Sequence, residues 1–288
     1  MTKWNGKSKG TVFGYRIFIF SIKTFGVKSA YFILRFVTYY YYLFAKKNRE
    51  GVLNFYTKAL GYTEKEAKVT ARKNFYIFGQ TLVDRHAFLL NKAKHITYSF
   101  DNEQALIDMK NSNKGAVLLS GHIGNWETAG NLLKDRISNK INALMLDAEY
   151  QKIKKFVDNS TGGSKFNVIA IKDDLSHIIK IKNALYNNEF IAIHADRITD
   201  GIKNIELDFF GIPTKFPYGP FLIASKFKAP VVFVFAVKGN KSHYSLNCTN
   251  PTIGESPEEI AQKYVAELER MVKKYPEQWF NYFNYFEQ

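Results

Sequence analysis

The sequence predicts an α/β fold, with a mainly parallel central sheet, flanking helices and an N-terminal amphipathic helical arm over residues 1–48. Three observations carry this. Short apolar runs alternate with helical stretches between residues 116 and 195, the rhythm of strands joined by crossover helices. Residues 49–94 keep helical periodicity throughout, and residues 11–45 concentrate aromatic and cationic side chains together. At 288 residues and 46% hydrophobic content the chain can bury a large core, which excludes a disordered or fibrous protein.

In the arm, Arg16, Lys23, Lys28 and Arg35 interrupt every apolar window, so no uninterrupted span of about 20 residues is available to cross a membrane. The pattern reads instead as two amphipathic helices, over 12–25 and 28–45. Their basic side chains can reach phosphates while aromatic faces, including Tyr39 to Tyr42, sit at an interface. The first 50 residues hold ten Lys or Arg and one acidic residue, Glu50, a balance suited to an anionic membrane surface. The same helices could also pack simply on the rest of the chain. No cleavable signal is expected, because the apolar stretch lacks a small-residue cleavage site.

Residues 49–288 are expected to form one domain. Thr63 and Glu66 are spaced as a capping box that opens a long helix through Phe75, Phe78 and Leu82. Ala116–Ser120, Ile141–Leu146, Asn167–Ala170 and Phe190–Ala195 read as strands. A strand pair at 205–209 and 214–216 follows, turned by Phe210-Gly211-Ile212-Pro213. Then come a helix over 218–227, a strand over 230–237, another near 243–248 and a final helix over 256–274.

The formal charge of +15 favours anionic partners. The 16% aromatic content, together with the absence of zinc-finger, helix-turn-helix or aromatic RNA-binding signatures, places a membrane surface ahead of nucleic acid. One cysteine, Cys248, permits no intrachain disulfide, and no His-Glu-x-x-His spacing or equivalent points to a catalytic metal.

The chemistry concentrates in Gly121-His-Ile-Gly-Asn-Trp-Glu127, where a buried strand ends in a glycine-flanked histidine. Ligands of open α/β sheets bind at the carboxyl ends of strands, which places His122 where a site belongs. Glu127, one turn into the following helix, could orient the imidazole and stabilise its protonated form, making His122 a general base. Asn125, or backbone N–H groups around Gly124, could donate to an oxyanion. A helix cap at His122 with a favourable first-turn charge at Glu127 would satisfy the same spacing. Ser120 precedes the histidine by two residues but is not placed clearly as a nucleophile, so direct attack by a substrate hydroxyl is the simpler chemistry. Asp196 and Arg197 end another buried strand and should share this edge. Arg197 could grip an acceptor phosphate or polarise a carbonyl, or the pair could anchor the loop that follows. His194 lies on an apolar strand and reads as a buried, hydrogen-bonded histidine.

The block Gly121-His-Ile-Gly-Asn-Trp-Glu127 resembles the first motif of the bacterial lipid A late acyltransferases. Phe190-Ile-Ala-Ile-His-Ala-Asp196-Arg197, Phe209-Phe-Gly211, Phe216-Pro-Tyr-Gly219-Pro220 and Ala229-Pro-Val-Val-Phe-Val are similar to later motifs in the same order, covering residues 110–240. The closing Tyr275-Pro276-Glu277-Gln278-Trp279-Phe280 is similar too. The resemblance implies a glycerolipid acyltransferase-like fold and a fatty acyl donor on acyl carrier protein or coenzyme A, with no other cofactor. It also implies a glycolipid acceptor at the cytoplasmic face of the bacterial inner membrane, reached by a peripheral or monotopic protein. His122 and Glu127 would be catalytic, Asn125, Asp196 and Arg197 would contact the oxyanion or substrate, and Gly211, Gly219 and Pro220 would shape the acceptor pocket. Two departures stand out: Leu146-Asp-Ala-Glu149 replaces a Tyr-Arg pair common in the family, and the C-terminus lacks its basic tail. These favour weighing other membrane amphiphiles as acceptors, and a non-enzymatic basic scaffold as the remaining alternative.

Overall fold

The computed structural model describes residues 12–126, 129, 139–146, 167–171, 174–199 and 201–287. Four helices come first: α1 (Val12–Phe25), α2 (Val27–Phe44), α3 (Lys46–Leu60) and α4 (Glu64–Leu89). The capping box expected at α4 forms, with Thr63 Oγ1 accepting from Glu66 N and the Glu66 carboxylate accepting from Thr63 N at 2.9 Å. Helix α2 divides into two faces. Val27, Ala30 and Leu34 are buried with Val83 and Ala87 of α4 and Ile22 of α1, while Phe32, Phe36, Tyr39, Tyr40 and Leu43 are exposed. One side of α2 thus packs on the rest of the chain, and the other leaves an aromatic face exposed. No helix among the described residues is long and apolar enough to cross a membrane.

The remaining elements are β1 (Thr97–Asp101), α5 (Glu103–Asn111), β2 (Ala116–Ser120), β3 (Ile141–Leu146), β4 (Asn167–Ile171), α6 (Ser176–Tyr186), β5 (Phe190–His194), β6 (Asn204–Phe209), β7 (Ile212–Pro217), α7 (Tyr218–Lys226), β8 (Val231–Lys238), β9 (His243–Cys248) and α8 (Pro257–Lys274). Seven strands form one sheet in the order β1-β9-β8-β2-β5-β3-β4. All pairings are parallel except β8 with β9, whose connection is too short for a crossover. Strand β1 was not legible in the sequence; it is a half-exposed edge strand of five residues. Every residue of β2 is buried, as its uninterrupted Ala-Val-Leu-Leu-Ser requires at the centre of such a sheet.

Strands β6 and β7 form a separate hairpin, tighter than the sequence suggested. Phe209 pairs with Ile212, leaving a two-residue turn in which Phe210 and Gly211 have φ of 57° and 75°. One sheet face carries Val117, Leu119, Ile191 and Ile193 into the main core with α6, α7 and α8. The opposite face carries Leu118, Phe190 and Val232 against α5.

Candidate active site

Strands β2 and β5 are parallel neighbours with Ser120 opposite His194, so the residues two places beyond each, His122 and Asp196, emerge side by side at the carboxyl edge. The Asp196 carboxylate is wholly buried and accepts four N–H bonds. They come from His122 Nδ1 at 2.7 Å, His122 N at 2.8 Å, Trp279 Nε1 at 3.1 Å and Asn281 Nδ2 at 3.4 Å. Burial pushes its pKa up, but the adjacent His122, its hydrogen bond and the Arg197 guanidinium prevail, holding the carboxyl well below the usual carboxylate range. Asp196 is thus an ionised acceptor that fixes His122 with its proton on Nδ1 and leaves Nε2 to take another.

Asp196 therefore makes the orienting contact that the sequence assigned to Glu127, in place of the oxyanion or substrate contact first expected of it. Glu127 itself lies outside the described residues. The sequence signal was present in the two buried strands read at Ala116–Ser120 and Phe190–Ala195, but their register was not.

The loop after β2 is clamped by the C-terminal segment. Phe280 N donates to the His122 carbonyl at 2.8 Å, Gly124 N to Gln278 O at 2.8 Å, and Asn125 N to Ala236 O at 2.7 Å. Gly124 has φ of 69°, and a Cβ there would lie 1.9 Å from the Ala236 carbonyl oxygen, so only glycine fits. These bonds occupy the backbone donors expected to form an oxyanion hole. The Asn125 side chain is likewise turned inward, its Nδ2 donating to Thr81 O and to Tyr244 Oη, both at 3.2 Å. Asn125 is consequently a structural tie to a buried cluster in which Lys238 and Tyr31 bond Asp84, and Tyr244 donates to the same carboxylate at 2.5 Å.

Arg197 donates through Nε to Asn281 Oδ1 at 2.7 Å and through a terminal nitrogen to Phe280 O at 2.6 Å. These bonds anchor it to the C-terminal segment. Sequence reasoning gave no role to Trp279, Asn281 or Tyr285, whose hydroxyl donates to the Asp196 carbonyl at 2.6 Å. Their signal was the aromatic, asparagine-rich C-terminus, too rich in large apolar side chains for a solvated tail. Gly211 turns the β6–β7 hairpin, and Gly219 and Pro220 lie in the first turn of α7. None of the three lines the chamber beside His194, and the acceptor pocket expected of them is a separate surface.

That chamber opens on the sheet face opposite the main core. It is walled by Leu118 and Ser120 of β2, Ala143 and Met145 of β3, Ala192 and His194 of β5, Val234 and Ala236 of β8, and Leu246 and Cys248 of β9, with Leu106 and Trp126 across it. Among the described residues its walls are apolar apart from Ser120, His194, Asn247 and Cys248, and burial pushes the Cys248 thiol up to about 12, so it stays protonated. His194 bonds the Ser120 backbone, as a buried histidine is expected to, but only through one ring nitrogen. Its Nδ1 is buried without a partner, and its ring stacks on His122 with centroids 4.6 Å apart. Donor atoms of His122, His194 and Asp196 lie within 4.8 Å of one another, close enough to hold a cation, although the carboxylate lone pairs are already committed to four N–H groups.

Fold and site together define an α/β protein with a hydrogen-bonded histidine–aspartate pair beside an apolar chamber. Residues 3–287 match the family model described as bacterial lipid A biosynthesis acyltransferase, and the chain belongs to that family. It is also similar to the phosphatidylinositol mannoside acyltransferases of two strains of Mycobacterium tuberculosis, H37Rv and CDC 1551, each 27% identical over 165 residues. The aligned region covers 54% of this chain and 50% of each relative, so the chain spans about half the length of the curated relatives it matches.

Proposed function

We propose that the protein is an acyltransferase that moves a fatty acyl chain from a thioester of acyl carrier protein or coenzyme A to a hydroxyl of a membrane glycolipid, a lipid A precursor in the first instance. The observation that carries the reading is the His122–Asp196 pair beside a chamber with apolar walls. His122 Nε2 takes the acceptor hydroxyl proton as the oxygen attacks the thioester carbonyl carbon. The tetrahedral intermediate collapses with cleavage of the C–S bond, and the departing thiolate recovers the proton from His122. Asp196 stays ionised and stabilises the imidazolium between these two steps. The acyl tail occupies the chamber, whose lining matches it in chemistry.

The arm delivers the site to its acceptor. Phe20, Phe25, Phe32, Phe36 and Phe44 are each more than half exposed. With Arg16, Lys23, Lys28 and Arg35 exposed on the same two helices, this face suits an anionic bilayer surface. On this reading the protein works at the cytoplasmic face of the inner membrane, and an acidic acyl carrier protein is drawn by the same positive field.

A second acceptor class, a phosphatidylinositol-type glycolipid, is favoured by the printed activity of the mycobacterial relatives and by Leu146-Asp-Ala-Glu149 in place of the Tyr-Arg pair. The test is transfer of labelled acyl groups from acyl carrier protein or coenzyme A to vesicles carrying either glycolipid. Label in one glycolipid names the acceptor, and His122→Ala should lower the rate by about 10²- to 10⁴-fold. Label in neither, with both donors offered, would remove the reading.

A further inference from the structure

We propose that His194 is a positioning residue for this transfer: its ring, set between His122 and Trp126 in the chamber wall, holds the catalytic imidazole so that its second nitrogen faces the substrate. The inference rests on the reading of His122 as the base.

Asp196 holds the His122 ring through Nδ1 alone. An imidazole held at one nitrogen can still tilt about that bond, and moving Nε2 by about 1 Å is enough to slow a transfer by about 10²-fold. A second contact on the ring face removes that freedom. His194 supplies it, with centroids 4.6 Å apart and planes tilted by 31°. Trp126 meets the other ring of the pair edge-on, 5.2 Å from His194 at 77°. His194 ends β5, fixed in register opposite Ser120, so the platform belongs to the rigid sheet rather than to the loop that carries His122.

The platform is also suited to its place in charge. Burial, then the neighbouring His122, lower the His194 pKa to about 3; Asp196 and a hydrogen bond to the Ser120 backbone oppose this and Arg197 adds to it. Of the chamber walls from β2, β3, β8 and β9, only Cys248 carries another titratable group. His194 is therefore uncharged wherever the reaction runs, and it does not compete for the proton that His122 takes. Its Nδ1 is buried without a hydrogen-bond partner, an arrangement that folding alone does not favour.

The experiment compares His194→Ala and His194→Phe in the full chain. It reads kcat and KM for the acyl thioester on glycolipid vesicles, with nitrogen-15 NMR of the histidine rings as a readout independent of turnover. Loss of the platform in His194→Ala should lower kcat about 10- to 100-fold, the cost of a small misplacement of a catalytic group. KM should change by less than about threefold, because binding in the chamber is retained. His194→Phe, which restores a ring face, should recover most of the lost kcat, and the His122 Nδ1–H signal should be sharp in wild type and His194→Phe but broadened in His194→Ala. Wild-type kcat and a sharp signal in His194→Ala would overturn the proposal. So would a folded His194→Phe as slow as His194→Ala, since the ring nitrogens rather than the ring face would then matter. If wild type transfers no acyl group, the functional reading falls and the NMR comparison alone decides whether His194 positions His122.

Discussion

Asp196→Asn is the substitution whose consequences the site geometry defines most sharply. The carboxylate meets only donors: two from His122 and one each from Trp279 and Asn281. An asparagine keeps one acceptor oxygen and turns an NH2 toward groups that also donate. If the oxygen stays with His122 N and Trp279, both on the Oδ2 side, the NH2 faces His122 Nδ1. That nitrogen must then shed its proton to accept, and the proton moves to Nε2, the nitrogen that should take the substrate's. An imidazole locked in the wrong tautomer loses on the order of 10⁴-fold in kcat, about 5.5 kcal/mol of barrier. If the amide flips instead, His122 N and the indole are left unpaired, costing about 1–3 kcal/mol of stability for each buried donor. Steady-state kcat at saturating donor and acceptor, with the melting temperature as a check on folding, separates the two. A folded Asp196→Asn enzyme within about tenfold of wild type would refute the assignment of Asp196 as the orienting group.

Four further outcomes follow from the same structure. Burial lowers the His86 pKa from 6.5 to about 4 and the His194 pKa from 6.5 to about 3, so below pH 6.5 the unfolded chain binds more protons than the folded one. Stability should be full above pH 6.5 and fall by about 3 kcal/mol from His86 alone by pH 4, with Asp196 adding a further loss only below its ordinary value; denaturant melts across this window that show no decline would contradict it. Lys238→Met leaves Asp84 buried without its cation and should cost about 3–5 kcal/mol, much of it recovered by adding Asp84→Leu, as thermal unfolding of the single and double variants would show. Ala192→Phe fills the chamber beside His194 and should shift donor preference to shorter acyl chains in a competition assay. Phe32→Ser with Phe36→Ser removes two side chains that are 61% and 66% exposed, and vesicle sedimentation should show about tenfold weaker binding for each.

How far the sequence could be read depended on whether a feature was local. Uninterrupted apolar runs such as Ala116–Ser120 announced buried central strands, the Thr63–Glu66 box announced α4, and glycine-flanked His122 announced the end of β2 at the sheet's carboxyl edge. All are settled by neighbours within a few positions. The partner of His122 is not: Asp196 is 74 residues away and reaches it only because β2 and β5 pair in register, which periodicity cannot reveal. Asn125 misled for a related reason. Its position in the motif points to the substrate, but its amide is claimed by Thr81 and Tyr244 from segments 44 and 119 residues distant. The C-terminal residues Gln278, Trp279 and Asn281 carried no such local signal, because their role as a clamp on residues 122–125 and on the Asp196 carboxylate depends on tertiary contacts alone. Hairpin strand β7 shows the opposite case, where the turn signal was right and only its length, two residues rather than four, was set by the pairing.

The most direct test of the central claim is acyl transfer by purified protein from a labelled acyl thioester to a glycolipid in vesicles, measured for wild type and His122→Ala at equal folded concentration. Labelled glycolipid with wild type and a loss of at least about 100-fold with His122→Ala is the predicted result; equal labelling by the two proteins would contradict the assignment of His122 as the base.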